Sequence, residues 1–281
     1  MGPWITLSVG DGANDVPMIT EAHIGIGIRG KEGTQAIRSA DYAVSQFMYL
    51  LRMILVHGRW GYRRISWLVL YYFYKNIILA FTELGFAYEN GFSGQIYFPD
   101  LLPTMYNAVW TSWQCLFAYT IEQDVNDHFV FRYPVVFKAG QLEAYFNIKI
   151  FWRWIIFSIW HGVVTYYGCT YGLSGPIDFE GKTYSHWFIS MTAFTCVIHI
   201  IMLKLFLETV YWNWISTGTG IFCLSFYYFC LFFLNYPTLS IIVQPQITGD
   251  VMLIFQSTKA WICILVIPLI ALIPDVTYTM F

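Results

Sequence analysis

The chain has 281 residues, 57% hydrophobic and only 11% charged, with a formal charge of -2; soluble domains carry roughly 25% charged residues, so an ordinary soluble globule is excluded. A mean hydropathy of +0.54 and a pI near 6.3 point to a polytopic membrane protein and leave no basic surface for nucleic acid. The six cysteines fall singly inside apolar runs, without zinc-ligand spacing or a secreted disulfide framework, and read as buried thiols.

The first 64 residues differ from the rest. An apolar run, Ile5 to Val9, ends in Gly10-Asp11-Gly12-Ala13-Asn14-Asp15. A short helix is expected around Pro17 to Ala22, a buried strand at Ile24 to Ile28, a second helix from Gly33 to Arg38 and a strand at Ala40 to Val44. That β-α-β-α-β order belongs to a parallel sheet covered by helices. Alone, so small a piece of sheet would be marginally stable. The polar N-terminus offers no cleavable signal peptide, so insertion would begin at an internal span.

Past Arg63 and Arg64 the apolar runs reach the roughly 20 residues that a hydrocarbon layer of about 30 Å requires. Six spans are expected, near 67–88, 103–121, 151–172, 186–207, 214–235 and 251–273. Arg52, Arg59, Arg63, Arg64, Arg132, Lys138, Lys149 and Lys204 flank one side. The other side offers Lys182 and Lys259 against Glu89, Asp100, Asp178, Glu180 and Asp250. The positive-inside rule then places both termini in the cytosol. Runs such as Trp152-Arg153-Trp154 and Tyr211-Trp212-Asn213-Trp214 read as interfacial anchors.

Two places carry candidate chemistry. In the loop, Asp11 and Asp15 are hard oxygen ligands suited to Mg²⁺, Asn14 can donate to a phosphoryl oxygen, and the glycines let backbone amides approach it. Phosphoryl transfer needs positioning and charge neutralisation, so the loop is a sensible half of such a site. The other half is not visible: no Asp-Lys-Thr-Gly segment and no Walker-type loop occur. In the membrane, Lys75 lies a third to halfway through the first span. Burying it costs roughly 2.5–3.5 kcal/mol on insertion scales, which marks a functional residue unless the side chain snorkels to the interface. Asn76 is adjacent and Asn107 lies on the next span, while Glu83 stays open between a path residue and a boundary carboxylate. His161 and His199, one per span, read as polar contacts between helices.

The strings Gly10-Asp-Gly-Ala-Asn-Asp15, Ala22-His-Ile-Gly-Ile-Gly-Ile28, Glu32-Gly33, Ser39-Ala-Asp-Tyr-Ala-Val44, Gln46-Phe47 and Val56-His57-Gly58 resemble the end of the phosphorylation domain of P-type ATPases, in their phospholipid-flippase branch. Leu70-Tyr-Tyr-Phe-Tyr-Lys-Asn76, Gly91-Phe-Ser-Gly-Gln95, Tyr106-Asn107, Thr111-Ser112 and Gln123-Asp124-Val125 resemble that branch around the fifth and sixth of ten spans. Beyond Val125 the likeness is one of hydropathy and span count.

The resemblance implies a haloacid-dehalogenase-like α/β remnant and stalk over 1–64 and a six-helix membrane domain over 65–281. It implies an ATP-driven translocase that moves aminophospholipid to the cytosolic leaflet through an aspartyl-phosphate cycle, in the plasma membrane or an endomembrane. Asp11 and Asp15 would hold Mg²⁺, Asn14 and Asp15 would hold phosphate, Lys75 would read the lipid headgroup, and Asn76 and Asn107 would line the lipid path. A small two-span glycosylated accessory subunit is implied as partner, together with the missing N-terminal portion of the pump, which brings the nucleotide. A chain starting at Met1-Gly2-Pro3, just before the loop, looks like a truncated gene model, a pseudogene product or a fragment, inactive alone. The alternative is a non-catalytic six-span scaffold or interaction subunit. The cation-pump branch ranks lower, because the first two spans hold only Glu83 as an internal carboxylate. One departure stands out: after Thr111-Ser112 this chain has Trp113-Gln114-Cys115 where the family usually has a proline stretch, so the second span is expected to keep its hydrogen-bond ladder.

Overall fold

The computed structural model describes residues 4–30, 34–175, 183–234, 236 and 245–280; Glu32, Gly33, Asp178, Glu180 and Lys182 lie outside them. The chain divides into two compact units, Met1–Tyr62 with Val125–Leu142, and Arg63–Asp124 with Glu143–Phe281.

The first unit is built on a small parallel sheet. Strand β1 (Leu7–Gly10) is followed by a 3-10 turn, Ala13–Asp15, and helix α1 (Val16–Glu21); then come β2 (Ile24–Ile28), α2 (Gln35–Ser39) and β3 (Tyr42–Val44). The strands lie in the order β1-β2-β3, in register Val9↔Ile26 and Ile28↔Val44. Helix α2 sits so close to β2 that a Cβ on Gly27 would stand 2.8 Å from the Ala36 carbonyl oxygen. Asp41, part of the recognised string, closes the sheet: its Oδ2 accepts the Gly25 N–H at 2.8 Å. Downstream, α3 (Tyr49–Arg52) runs into a π-helical turn, Met53–Gly58. In the same unit Val56, Trp60 and Val130 form a small apolar core.

The second unit is helical. It contains the body of α4 (Arg59–Glu89), then α5 (Leu101–Met105), a π turn (Tyr106–Trp110) and α6 (Ser112–Ile121). The short helices α7 (Asp127–Arg132) and α8 (Lys138–Gln141) belong to the first unit. The second resumes with α9 (Ile148–Gly172), α10 (His186–Glu208), α11 (Trp214–Leu234), α12 (Asp250–Gln256) and α13 (Thr258–Met280). Helix α10 is apolar and buried around nearly its whole circumference, as a helix at the centre of a bundle must be. Gly162 of α9 lets α4 approach: a Cβ there would lie 2.9 Å from the Ile78 carbonyl oxygen. Close backbone approach over small residues is how membrane helices gain packing energy without a hydrophobic drive. All six cysteines are free.

Among the described residues four helices are long and apolar enough to cross a membrane, Tyr49–Glu89, His186–Glu208, Trp214–Leu234 and Thr258–Met280. Two expectations need correction. The stretch 103–121 does not keep its ladder: it breaks at Thr111 (φ -117°, ψ -15°), after the π turn. No proline is required, because the hydroxyls intercept the backbone. Thr111 Oγ1 donates to the Tyr106 carbonyl at 2.7 Å, and Ser112 Oγ donates to that of Asn107, each five residues back. The second correction is at the end of the chain, where the span predicted at 251–273 is interrupted at Ser257 and the long helix is Thr258–Met280. Ser257 is extended, and its Oγ accepts the Ala260 N–H at 3.3 Å and pairs with the Tyr184 hydroxyl at 2.9 Å, which starts a new helix.

Candidate functional site

The glycine-aspartate loop leaves the C-terminal end of β1. Asp15 Oδ2 accepts the backbone N–H groups of Asp11 at 3.0 Å and Gly12 at 3.2 Å, so one carboxylate oxygen of Asp15 is spent on closing the turn. Asp11 and Asn14 are exposed. The three expected residues thus share one turn, but they divide the work: Asp15 shapes the loop, and Asp11 presents an exposed carboxylate beside it. Mg²⁺ takes one or two carboxylates and keeps several waters. The donor set of Asp11 with the remaining Asp15 oxygen fits that demand. An all-protein metal cage is not present among the described residues.

The second place is the break at Thr111. Lys75 is fully buried. Its Nζ donates to Thr111 Oγ1 at 3.0 Å, and it lies 4.1 Å from the centre of the Tyr72 ring and 5.8 Å from that of Tyr106. Tyr106 in turn donates its hydroxyl to the Lys75 carbonyl at 2.7 Å. The side chain therefore does not snorkel to an interface. It is held at the break in the neighbouring segment by the Thr111 hydroxyl, which accepts from the ammonium while donating to the Tyr106 carbonyl. Among the described residues no carboxylate reaches the Lys75 ammonium, and Thr111 is its one hydrogen-bond acceptor. Asn76 and Asn107 are not gathered at Lys75. Both are exposed, and Asn76 Nδ2 donates to the Tyr72 carbonyl of its own helix at 3.0 Å. Glu83 is exposed as well.

Sequence reasoning missed a second buried polar array. Lys204 Nζ stands 2.5 Å from Asp275 Oδ1 and 2.6 Å from Glu208 Oε1, and 4.5 Å from the centre of the Trp154 ring. Asp275 Oδ2 lies 2.9 Å from His161 Nε2, and His161 Nδ1 lies 2.6 Å from the Tyr74 hydroxyl. His161 thus makes the interhelical contacts expected of it. His199 also does, through Nε2 to the Tyr228 hydroxyl at 3.2 Å. Asp275 escaped notice because it lies beyond the predicted end of the last span, and Lys204 because it read as a flanking charge. Hydropathy assigns no partner to either.

Near the cytosolic flank predicted for α6, Glu122 is buried and accepts the Val210 and Tyr211 N–H groups at 3.0 and 3.4 Å, with Arg63 Nη2 at 3.6 Å. Burial pushes its carboxyl above the ordinary range, against the pull of those amides and of Arg63.

Residues 37–281 match the family model of the phospholipid-translocating P-type ATPase C-terminal region. The chain is 36% identical over 277 residues to the phospholipid-transporting ATPase DRS2 of Saccharomyces cerevisiae, covering 96% of this chain and 20% of that protein. It is 35% identical over 276 residues to a phospholipid-transporting ATPase of Schizosaccharomyces pombe, covering 96% of this chain and 22% of the relative. The human phospholipid-transporting ATPase IG is 35% identical over 277 residues, with 98% of this chain and 24% of the relative covered. The chain therefore spans under a quarter of the length of these relatives.

Proposed function

The chain belongs to the phospholipid-translocating P-type ATPases as a C-terminal piece, and we propose that in a complete pump it supplies half of the phosphoryl-transfer site and the headgroup-reading part of the lipid path. The pump would move aminophospholipid from the outer to the cytosolic leaflet, driven by ATP through an aspartyl-phosphate cycle. The chain would cross the membrane six times with both termini in the cytosol, in the plasma membrane or an endomembrane. Residues 1–64 would be the end of the haloacid-dehalogenase-like phosphorylation domain and its stalk, and 65–281 the membrane domain. A two-span glycosylated accessory subunit and the N-terminal portion of the pump would be its partners, and the chain alone would not hydrolyse ATP.

The observation that carries the lipid reading is the buried ammonium of Lys75 with a hydroxyl and two ring faces around it but, among the described residues, no carboxylate. A buried cation without a counter-charge is costly, and an anionic headgroup would supply the missing charge. The break at Thr111 opens backbone polarity beside it, which membranes tolerate only where the backbone is buried in protein or lines a cavity. Asn76 and Asn107 would meet lipid on the exposed faces of their helices. In the loop, Asp11 would hold Mg²⁺ with the free oxygen of Asp15, and Asn14 would donate to a phosphoryl oxygen. Bound there, the cation would neutralise charge on the transferring phosphoryl group.

A chimaera joining this chain to the N-terminal portion of the Saccharomyces cerevisiae relative tests both halves. Asp11→Asn should abolish turnover. Lys75→Ala should leave phosphorylation by ATP intact and slow lipid-stimulated dephosphorylation. Undiminished lipid stimulation and uptake in Lys75→Ala would remove the headgroup role, and ATP hydrolysis by the 281-residue chain alone would remove the fragment reading.

A further inference from the structure

Tyr74 and Lys75 are consecutive on α4, about 100° apart around a helix of 3.6 residues per turn. Whatever fixes the direction of one fixes the other. Helix α4 is tied on its inner side by two tyrosine hydroxyls one turn apart. Tyr71 donates to the Ile201 carbonyl at 2.9 Å, a bond to backbone that any sequence at Ile201 would offer. Tyr74 instead meets a side chain, His161 Nδ1, at 2.6 Å, with its ring edge-on to both His161 and Trp154. His161 is followed by Gly162, where α9 lies close against α4, so only a short distance separates the two helices at this level.

The imidazole is itself held from behind. Asp275 of α13 stands 2.9 Å from Nε2, Lys204 of α10 holds Asp275 at 2.5 Å, and Glu208 holds Lys204 at 2.6 Å. Four helices thus meet through one chain of polar contacts that ends at Tyr74, and Tyr74, His161 and Asp275 are buried almost completely. None of these groups lies on the segment that carries Thr111. The array therefore holds the turn of α4 that carries Lys75 from elements other than the one that bears its hydroxyl partner. Buried polar contacts of this kind specify one arrangement where an apolar contact would allow several.

We propose that the array Tyr74–His161–Asp275–Lys204 is the positioning element of Lys75: it sets the direction from which the ammonium meets a lipid headgroup while touching no lipid itself. This rests on the reading of Lys75 as the headgroup-reading residue.

The test uses the 281-residue chain in phosphatidylcholine nanodiscs, with phosphatidylserine titrated in and thermal stabilisation read as binding; melting in pure phosphatidylcholine reports folding. Wild type should be stabilised saturably, and Lys75→Ala should lose the effect. Tyr74→Phe should weaken the apparent affinity about tenfold, the scale of one lost hydrogen bond in a buried site. His161→Leu should do the same, and His161→Gln, which keeps an acceptor for the tyrosine, should recover most of the loss. Tyr71→Phe, which cuts the other tie of the same helix, should bind like wild type. Unchanged affinity in Tyr74→Phe and His161→Leu, or an equal loss in Tyr71→Phe, would overturn the positioning role while leaving Lys75 as the lipid residue. Should Lys75→Ala bind like wild type, the reading of Lys75 falls and the positioning role with it.

Discussion

Among the described residues two lysines are buried in the helical unit, and the fold treats them in opposite ways. Lys204 lies between two carboxylates, Asp275 and Glu208, and over the Trp154 ring. Lys75 has a threonine hydroxyl and two tyrosine faces. In a medium of low dielectric an ammonium needs a counter-charge, so among the described residues the first arrangement is complete and the second is not. A completed pair holds helices together; an incomplete one is retained at a cost that the rest of the fold must offset. The difference also explains why a membrane segment with so little charge spends it so unevenly.

The sharpest way to break the comparison is to strip Lys204 of its partner. Asp275→Ala leaves a buried ammonium with only the half-exposed Glu208, and should cost about 3–5 kcal/mol, seen as a large fall in melting temperature of the chain in nanodiscs. Wild-type melting would show that the pair is not what closes the bundle. Lys75→Met should act in the other direction. It removes an uncompensated charge of similar length, so the resting chain should gain up to about 2 kcal/mol, while the phosphatidylserine response vanishes; a loss of stability would place Lys75 among the structural groups. Thr111→Val deletes the hydroxyl that both accepts from Lys75 and donates to the Tyr106 carbonyl, at a cost of about 1–2 kcal/mol, measured by the same melting assay.

The smallest effect belongs to an intermediate case. Glu122 is buried at the end of α6 with two backbone amides and Arg63 near it, and its carboxyl is raised by burial. A raised folded-state pKa means that the folded chain binds more protons than the unfolded one, so the contribution of Glu122 to stability falls as pH rises from the ordinary carboxylate value through the raised one. Glu122→Gln should flatten that slope in a pH series of melting curves; an unaltered slope would show that Arg63 and the amides already balance the burial.

The contrast also separates what could be read from residues and what could not. Leu7–Gly10, Ile24–Ile28 and Tyr42–Val44 sit in short apolar runs with glycine or aspartate in or beside them, and the strands fall there because local pattern and tertiary need agree. The long helix ending at Glu89 was visible for the same reason. Lys75 stood out as a charge in an apolar run. The break at Thr111 did not, because the expectation rested on the absence of proline, whereas a hydroxyl that captures a carbonyl five residues back interrupts the ladder without removing a donor. The shift of the last helix to Thr258–Met280 was hidden likewise: Ser257 ends one helix and caps the next through contacts with Ala260 and the distant Tyr184.

Sequence alone therefore determined the membrane character, the approximate place of the strands and apolar helices, the family, and the identity of Asp11 and Lys75 as residues of interest. These follow from composition, period and motif, which are local properties of the chain. Tertiary structure decided which buried charge is paired and which, among the described residues, is not. Lys204 and Asp275 are 71 residues apart, and His161 and Tyr74 are 87 apart, so only the packing of four helices brings them within contact. Whether a buried lysine is a brace or a receiver depends on what the fold places around it, and no local pattern contains that.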